Sequence, residues 1–298
     1  MKVETRSASA GAVPNLRDLA SNLQPLEENL WIARTHTEVS YPEEGGSRCF
    51  SVEAESFWFG HRNRCITSLV QRLPPEGLLW DIGGGNGFVS SALLDAGFPV
   101  AVLEPYPKAA HNAVQRGVPT VVISTLEDAG FHEHSLNAAG LFDVLEHIDD
   151  DGAFLDRLHR FLKLGGRLYL TVPAYAWLWS SNDRLSGHFR RYTARRLATL
   201  LEAHGFRVEY CTYFFQPLVV PIFLFRSLPS RLGLRQRSSI QKLRTEHVPP
   251  SGLSMAVLTR LLEREERRIR AGYRQSVGAS LLLTAVTTPR GGTHGGVS

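Results

Sequence analysis

The sequence predicts an α/β protein built on one open, doubly wound, mostly parallel sheet of seven strands. Three observations predict it. Short apolar runs of strand length alternate with segments of helical period. Glycine or proline closes almost every one of these elements. The chain has 298 residues, 43% of them hydrophobic, enough for one large α/β domain with an elaborated edge.

Taken in order, residues 1–50 are weakly patterned and read as a partly mobile N-terminal extension, with a loop at Tyr41–Arg48. From Val52 to Leu73 apolar positions recur at helical spacing through Phe57, Ile66 and Leu69, and Pro74-Pro75 stops that helix. Leu78–Ile82 is the first strand. A glycine loop leads to a helix over Val89–Ala96, closed by Gly97. Val100–Leu103 is the second strand and ends at Glu104; a helix over Lys108–Arg116 stops at Gly117. Strands follow at Thr120–Ile123 and Ala138–Val144, then a helix over Phe154–Leu164 ending at Gly165-Gly166, then a strand over Arg167–Val172 stopped by Pro173. Such alternation implies right-handed crossovers and helices on both faces. Beyond this point the pattern loosens. A helix over Ala194–His204, a sixth strand over Arg207–Phe214, an amphipathic helix over Leu253–Ile269 and a last strand over Ala279–Val286 remain. The expected division is a domain over 51–290 with cap elements at 174–193 and 215–275, and a disordered tail over 291–298.

Composition removes several function classes. Cys49, Cys65 and Cys211 are far apart, with no CxxC or CxH spacing, so neither a disulfide framework nor a metal site is expected and a cytoplasmic location fits. The net charge of +4 is mild and its basic residues are interleaved with acids, so no nucleic-acid partner is expected. The N-terminal residues lack the apolar core of a signal peptide, and no apolar run reaches the roughly 18 residues of a membrane span.

The loop Asp81-Ile82-Gly83-Gly84-Gly85-Asn86-Gly87 carries the chemistry. A strand that runs through glycines into a helix presents free backbone N–H groups, and glycine lets a ligand approach closely. The dinucleotide fingerprint GxGxxG fails in both registers: Phe88 stands where Gly83-x-Gly85 needs its third glycine, and Ser90 where Gly85-x-Gly87 does. The acid at the strand end suits a cationic or amine-bearing ligand and repels a pyrophosphate. Glu104, ending the next strand, can accept two hydrogen bonds from a ribose.

With Val102-Leu103-Glu104-Pro105, Thr125-Leu126-Glu127-Asp128, Leu141-Phe142-Asp143-Val144-Leu145-Glu146-His147-Ile148 and Leu162–Gly166 followed by Leu168–Val172, five motifs stand in order over residues 52–210. In this the chain resembles the class I S-adenosylmethionine-dependent methyltransferases. The resemblance implies a Rossmann-like sheet with N-terminal lid helices and a C-terminal helical insertion before the last strand. It also implies S-adenosylmethionine as cofactor, held by Asp81, Gly83, Gly85, Gly87, Glu104, Pro105, Leu126, Glu127 and Phe142. The chain departs from the family at Thr125, where many relatives have aspartate; Glu127 or Asp128 would substitute. Two further stretches, Ser56–Arg64 and Trp179–Thr193, resemble a subgroup of bacterial small-molecule methyltransferases and bring in Trp58, Arg62 and His188.

Each of these has two readings. Trp58 and Arg62 either pack a lid helix or shield a sulfonium and pair a carboxylate. His147 and His188 either hold turns, His188 through Asp183, or serve as the base for a hydroxyl acceptor. Arg190 and Arg191 either pair with Asp183 or Glu202 or bind an acidic acceptor. Pro217–Leu228 is either a core cap or a surface for an apolar substrate, and Leu253–Ile269 reads as a solvated helix with i,i+4 ion pairs. The expected reaction is O-methylation of a small molecule of secondary or specialised metabolism. N- or C-methylation, nucleic-acid methylation and nicotinamide-dependent oxidoreduction stand as alternatives, the second lowered by the absence of an Asn-Pro-Pro-aromatic tetrapeptide and the last by the missing fingerprint. Oligomeric state is left open.

Overall fold

The computed structural model describes residues 15–35, 53, 56–233 and 253–290. The N-terminal residues 1–14, the loop at 41–48 and the tail at 291–298, for which mobility or a loop was expected, lie outside them.

The central strand β3 (Leu79–Ile82) is buried along its whole length. It lies between β4 (Val100–Leu103) on one side and β6 (Leu136–Phe142) on the other, parallel to both. Outward from β4 come β5 (Val121–Ile123) and an N-terminal hairpin, β1 (Leu23–Glu27) with β2 (Leu30–Ala33). Outward from β6 come β7 (Leu162–Pro173), β9 (Ser280–Thr287) and β8 (Phe206–Phe214), the last two antiparallel to their neighbours. The order is β1-β2-β5-β4-β3-β6-β7-β9-β8. The chain first builds β3-β4-β5 in one direction and then crosses back to start β6 on the other side of β3. The gap between the carboxyl ends of β3 and β6 is therefore the topological switch point, where such sheets open a crevice for ligands.

Both faces of the sheet are covered, and consecutive residues alternate between them. Trp80, Ala101, Leu168 and Leu281 join one core, while Leu79, Val100, Tyr169 and Leu282 join the other. The first core is closed by α5 (Asp151–Phe161) and α7 (Ala194–Ala203), through Leu155, Leu158, Leu197 and Leu201. The second is closed by α2 (Phe57–Arg72), α3 (Phe88–Asp95) and α10 (Leu253–Arg270), through Ile66, Leu69, Leu93, Leu262 and Ile269. Among the described residues no helix is long and apolar enough to cross a membrane.

Three expectations are corrected. Among the described residues the sheet has nine strands, not seven: Leu30 and Ala33 of β2 are buried at the ends of a strand that runs parallel to β5, and Asn29, at φ 63°, turns the hairpin. The helix expected to reach Leu164 ends at Phe161, because Leu162 already pairs with Leu136 and residues 163–166 bulge before Arg167 pairs with Ala138. Finally, α10 is solvated on one face, and the expected i,i+4 pair of Glu266 with Arg270 forms, but its other face is buried. Glu265 and Glu266 are 4% and 8% exposed and bond to His61 and Ser68 of α2.

Leu30 is fully buried in a small core with Val102, Val121 and Ile123. Leu30→Ala should therefore lower the unfolding free energy by about 2–5 kcal/mol in a denaturant titration; a loss near zero would mean that the hairpin is not part of the cooperative unit.

Candidate functional site

The glycine loop is bent back over β4. The backbone N–H groups of Gly83 and Gly84 donate to the carbonyl of Leu103, and that of Gly85 donates to Glu104 Oε2 at 2.8 Å. Gly83, Gly85 and Gly87 all have positive φ. At two of them packing also demands glycine: a Cβ on Gly83 would stand 2.9 Å from Val144, and one on Gly87 2.8 Å from Ala113. A Cβ on Gly85 would meet nothing within 4 Å, so this stretch of backbone faces open space.

Two buried carboxylates flank the loop. Asp81, 1% exposed, accepts from Ser90 Oγ at 2.6 Å. Glu104, 4% exposed, accepts from the N–H groups of Gly85 and Tyr106. Burial dominates both: it pushes the Asp81 carboxyl up to about 6 and Glu104 to about 7, and the hydrogen bonds only partly offset it.

Across the switch point, the exit of β6 forms the second wall. Asp143, held at φ 61°, accepts from Thr171 Oγ1 and from Arg62 Nη1. Glu146 is 1% exposed, and burial, reinforced by the charge of Asp143, pushes its carboxyl well above the ordinary range. His147 is pushed down to about 4, chiefly by burial and then by His188, so it is neutral near pH 7. Its ring meets that of His188 edge-on, centroids 4.7 Å apart. His188 reaches this place on the segment after β7, where Ser180 caps the short helix α6 (Ser181–Leu185) with Asp183 in a capping box. Asp183, 1% exposed, accepts from Ser180, from Arg191 Nε at 2.6 Å and from His188 Nδ1 at 3.1 Å. Burial alone would raise its carboxyl, but the bonds from His188 and Arg191 outweigh it and hold Asp183 well below the usual range.

The structure thus brings Asp81, the glycine loop and Glu104 together on one side, and His147 with His188 on the other. Val144 packs against Gly83, and Arg62 acts electrostatically on both Asp81 and Glu146. Trp58 lies flat on Phe215, ring centroids 3.8 Å apart. Leu126 and Phe142 are buried and Pro105 is half-buried beside Glu104. Glu127 is exposed and paired with Arg157 at 2.8 Å, a surface ion pair. Arg190 pairs with Asp151 and Asp149, so the pairing of Arg191 with Asp183 is the only one of the two foreseen. A groove of about 390 Å³ between α2 and α3, lined by Gly60, Arg64, Gln71 and Ser91, touches none of these residues.

Sequence reasoning missed Glu146 as a member of the site, and Glu53. Glu53 accepts from Asn86 of the loop and from Arg116, tying the loop to the next helix, α4 (Pro107–Gln115), and its exit. Its signal, one acid in an unpatterned stretch, is too weak to read.

Comparison with known proteins bears on the same residues. The profile of the methyltransferase-domain family matches residues 58–210, which hold both carboxylates, the glycine loop and both histidines. A probable S-adenosylmethionine-dependent methyltransferase of Mycolicibacterium smegmatis is 27% identical over 159 residues, 52% of this chain and 61% of that protein. A ubiquinone biosynthesis O-methyltransferase of Xylella fastidiosa is 29% identical over 111 residues, 35% of this chain and 45% of that protein. The chain thus spans less than two thirds of the length of these curated relatives. Among solved structures, a putative methyltransferase in complex with the Haloferax volcanii Trm112 methyltransferase activator superposes with a TM-score of 0.54 at 17% identity, covering 84% of this chain and 96% of that one, which shows a shared fold.

The raised carboxyls of Asp81 and Glu104 predict a pH dependence. A carboxyl whose folded pKa exceeds its unfolded value binds its proton more tightly when folded. Its burial penalty is absent below the unfolded pKa and grows as pH rises to the folded one: from 3.8 to about 6 for Asp81 and from 4.5 to about 7 for Glu104. Relative to wild type, ligand-free Glu104→Gln should gain stability across the second window by on the order of 2–3 kcal/mol. Denaturation curves that stay parallel from pH 4 to 8 would refute the desolvation.

Proposed function

We propose that this chain, which belongs to the S-adenosylmethionine-dependent methyltransferases, methylates a hydroxyl oxygen of a small molecule. Family and cofactor are the premise; the acceptor and the roles of the residues are our reading.

The residues fit the cofactor on physical grounds. Asp81 and Glu104 are desolvated carboxylates whose protein partners do not compensate their burial, so a cationic, amine-bearing and hydroxyl-bearing ligand supplies what they lack. Gly85 opens its backbone to the same space. In this reading Asp81 and the Gly83–Gly87 backbone hold the amino-acid end, Glu104 holds the ribose, and Leu126 with Pro105 lines the base. Arg62 is committed to Asp143, so it orders the β6 exit and lends its charge to the pocket. Trp58 forms a wall with Phe215. When bound, the cofactor supplies a methyl group already activated on a sulfonium, so the protein's tasks are to align the acceptor, exclude water and manage one proton.

The observation that carries oxygen as the acceptor is the Asp183–His188 pair. Asp183 stays ionised and accepts from Nδ1, which fixes the tautomer and leaves Nε2 to take a proton from a hydroxyl. The segment that delivers His188 also exposes Trp177, Leu185 and Phe189, which supports an acceptor of partly apolar character.

Two measurements test this. Asp81→Ala and Glu104→Ala should each weaken S-adenosylhomocysteine binding at least roughly tenfold by isothermal titration, since each removes a charged hydrogen-bond partner; unchanged affinity in both sinks the site assignment. Against a panel of phenolic, catecholic and carboxylic acceptors, His188→Ala should reduce kcat by about 10²–10⁴ with cofactor affinity preserved. Turnover on amines alone would replace the reading with N-methylation.

A further inference from the structure

The geometry points to a divalent transition-metal site formed by Glu146, His147 and His188, at the wall of the crevice where the acceptor is proposed to sit. The sequence offered no such site, because its cysteines lack ligand spacing and these three residues are split between the end of β6 and a loop about forty positions later.

Four observations support it. First, one donor atom from each of the three residues lies within 4.8 Å of the others; bonds of about 2.1 Å to a tetrahedral ion would draw them in to roughly 3.4 Å. Second, Glu146 is 1% exposed and its Oε2 has no hydrogen-bond partner. A carboxylate oxygen held out of water without a donor is costly, and a cation is the partner that remains. Third, Asp183 holds His188 through Nδ1, leaving Nε2 for an ion, and is itself fixed by Ser180 and Arg191. A carboxylate behind a ligating imidazole is the usual way such a ring is oriented. Fourth, both histidines are half-buried while Glu146 is buried, so the set opens toward solvent on the imidazole side.

The donor set selects the ion. Two imidazole nitrogens and one carboxylate oxygen suit Zn²⁺, Mn²⁺ or Fe²⁺, whereas Mg²⁺ and Ca²⁺ prefer oxygen throughout. Three protein ligands leave a coordination position for the acceptor.

A second cluster, His61, Cys65 and Glu265, is satisfied without an ion. Glu265 accepts from His61 Nε2 and from the backbone N–H groups of Phe215 and Gln216. Its role is to join α10 to α2.

The consequence rests on the preceding reading and changes one step of it. With the ion bound, His188 is a ligand and not a base. An acceptor hydroxyl on the ion is acidified, its O–H bond breaks with the electron pair remaining on oxygen, and the proton leaves to water. The oxygen lone pair then forms the O–CH₃ bond as the S–CH₃ bond breaks and its electron pair goes to sulfur.

The test separates the site from the reaction. The full chain, stripped with a chelator, is titrated calorimetrically with ZnCl₂ and with MnCl₂, and the Co²⁺ form is examined by visible absorption. The expected result is one equivalent bound with a ligand-field spectrum. Glu146→Gln and His188→Ala should each weaken binding by more than about tenfold, and Asp183→Asn, acting through His188, by about 10–100-fold. Circular dichroism confirms that each variant is folded. Binding that is absent, or equal in wild type and all three folded variants, overturns the proposal, as does binding lost only in Cys65→Ser. Metal bound at this site without O-methylation of any acceptor would leave the site standing and remove the reaction; O-methylation undiminished in the stripped enzyme would overturn the ion's part in that reaction.

Discussion

Asp81 and Glu104 are carboxylates kept out of water at the ends of two adjacent parallel strands, and much of the surrounding structure follows from that placement. Removing a carboxylate from water is unfavourable unless donors replace the lost hydration. The fold provides some: Ser90 for Asp81, and the N–H groups of Gly85 and Tyr106 for Glu104. To deliver Gly85 the loop must fold back over β4 with three residues at positive φ, which is why Gly83, Gly85 and Gly87 are glycine. The compensation stays incomplete, as the raised carboxyls show. The pocket is therefore electrostatically unfinished and complementary to a ligand that carries positive charge and hydroxyl donors.

The same constraint recurs across the crevice, and Arg62 links the two sides. Its guanidinium pairs with Asp143 and its charge favours the ionised forms of both Asp81 and Glu146. One cation thus serves three acids that belong to β3 and to the exit of β6. Occupation of either side alters the field felt by the other, since the partly desolvated medium screens these charges weakly.

The central fold was legible because strands buried on both faces read as unbroken apolar runs, and glycines mark where they end. Leu79–Ile82 and Val100–Leu103 are of this kind. The hairpin was not legible: β1 buries only its first residue and β2 only its two ends, which leaves no run and no alternation to detect. The charged face of α10 misled for a related reason. Glu265 and Glu266 look solvated in sequence, and only the fold brings His61 and Ser68, some two hundred residues earlier, against them. At the candidate site, residues that end a buried strand were singled out from the sequence, such as Asp81 and Glu104. Glu146 was not, because its meaning depends on His188, which the loop after β7 folds back to meet it.

That division has a physical corollary for specificity. Every residue assigned here to the cofactor lies inside the span that matches the methyltransferase-domain family, 58–210. One residue packed against Trp58 does not. Phe215, which stacks on Trp58, follows β8 and adopts φ 60°, a strained conformation for a phenylalanine. It is retained because Glu265 of α10 accepts from its N–H and from that of Gln216, and His61 of α2 holds Glu265 in turn. α2, the turn after β8 and α10 are thus one hydrogen-bonded unit. The position of Trp58 is set by residues more than one hundred and fifty positions downstream, outside the matched span of 58–210. In the proposed reading, altering that unit reshapes the wall at Trp58 and leaves the Asp81–Glu104 cradle as it is.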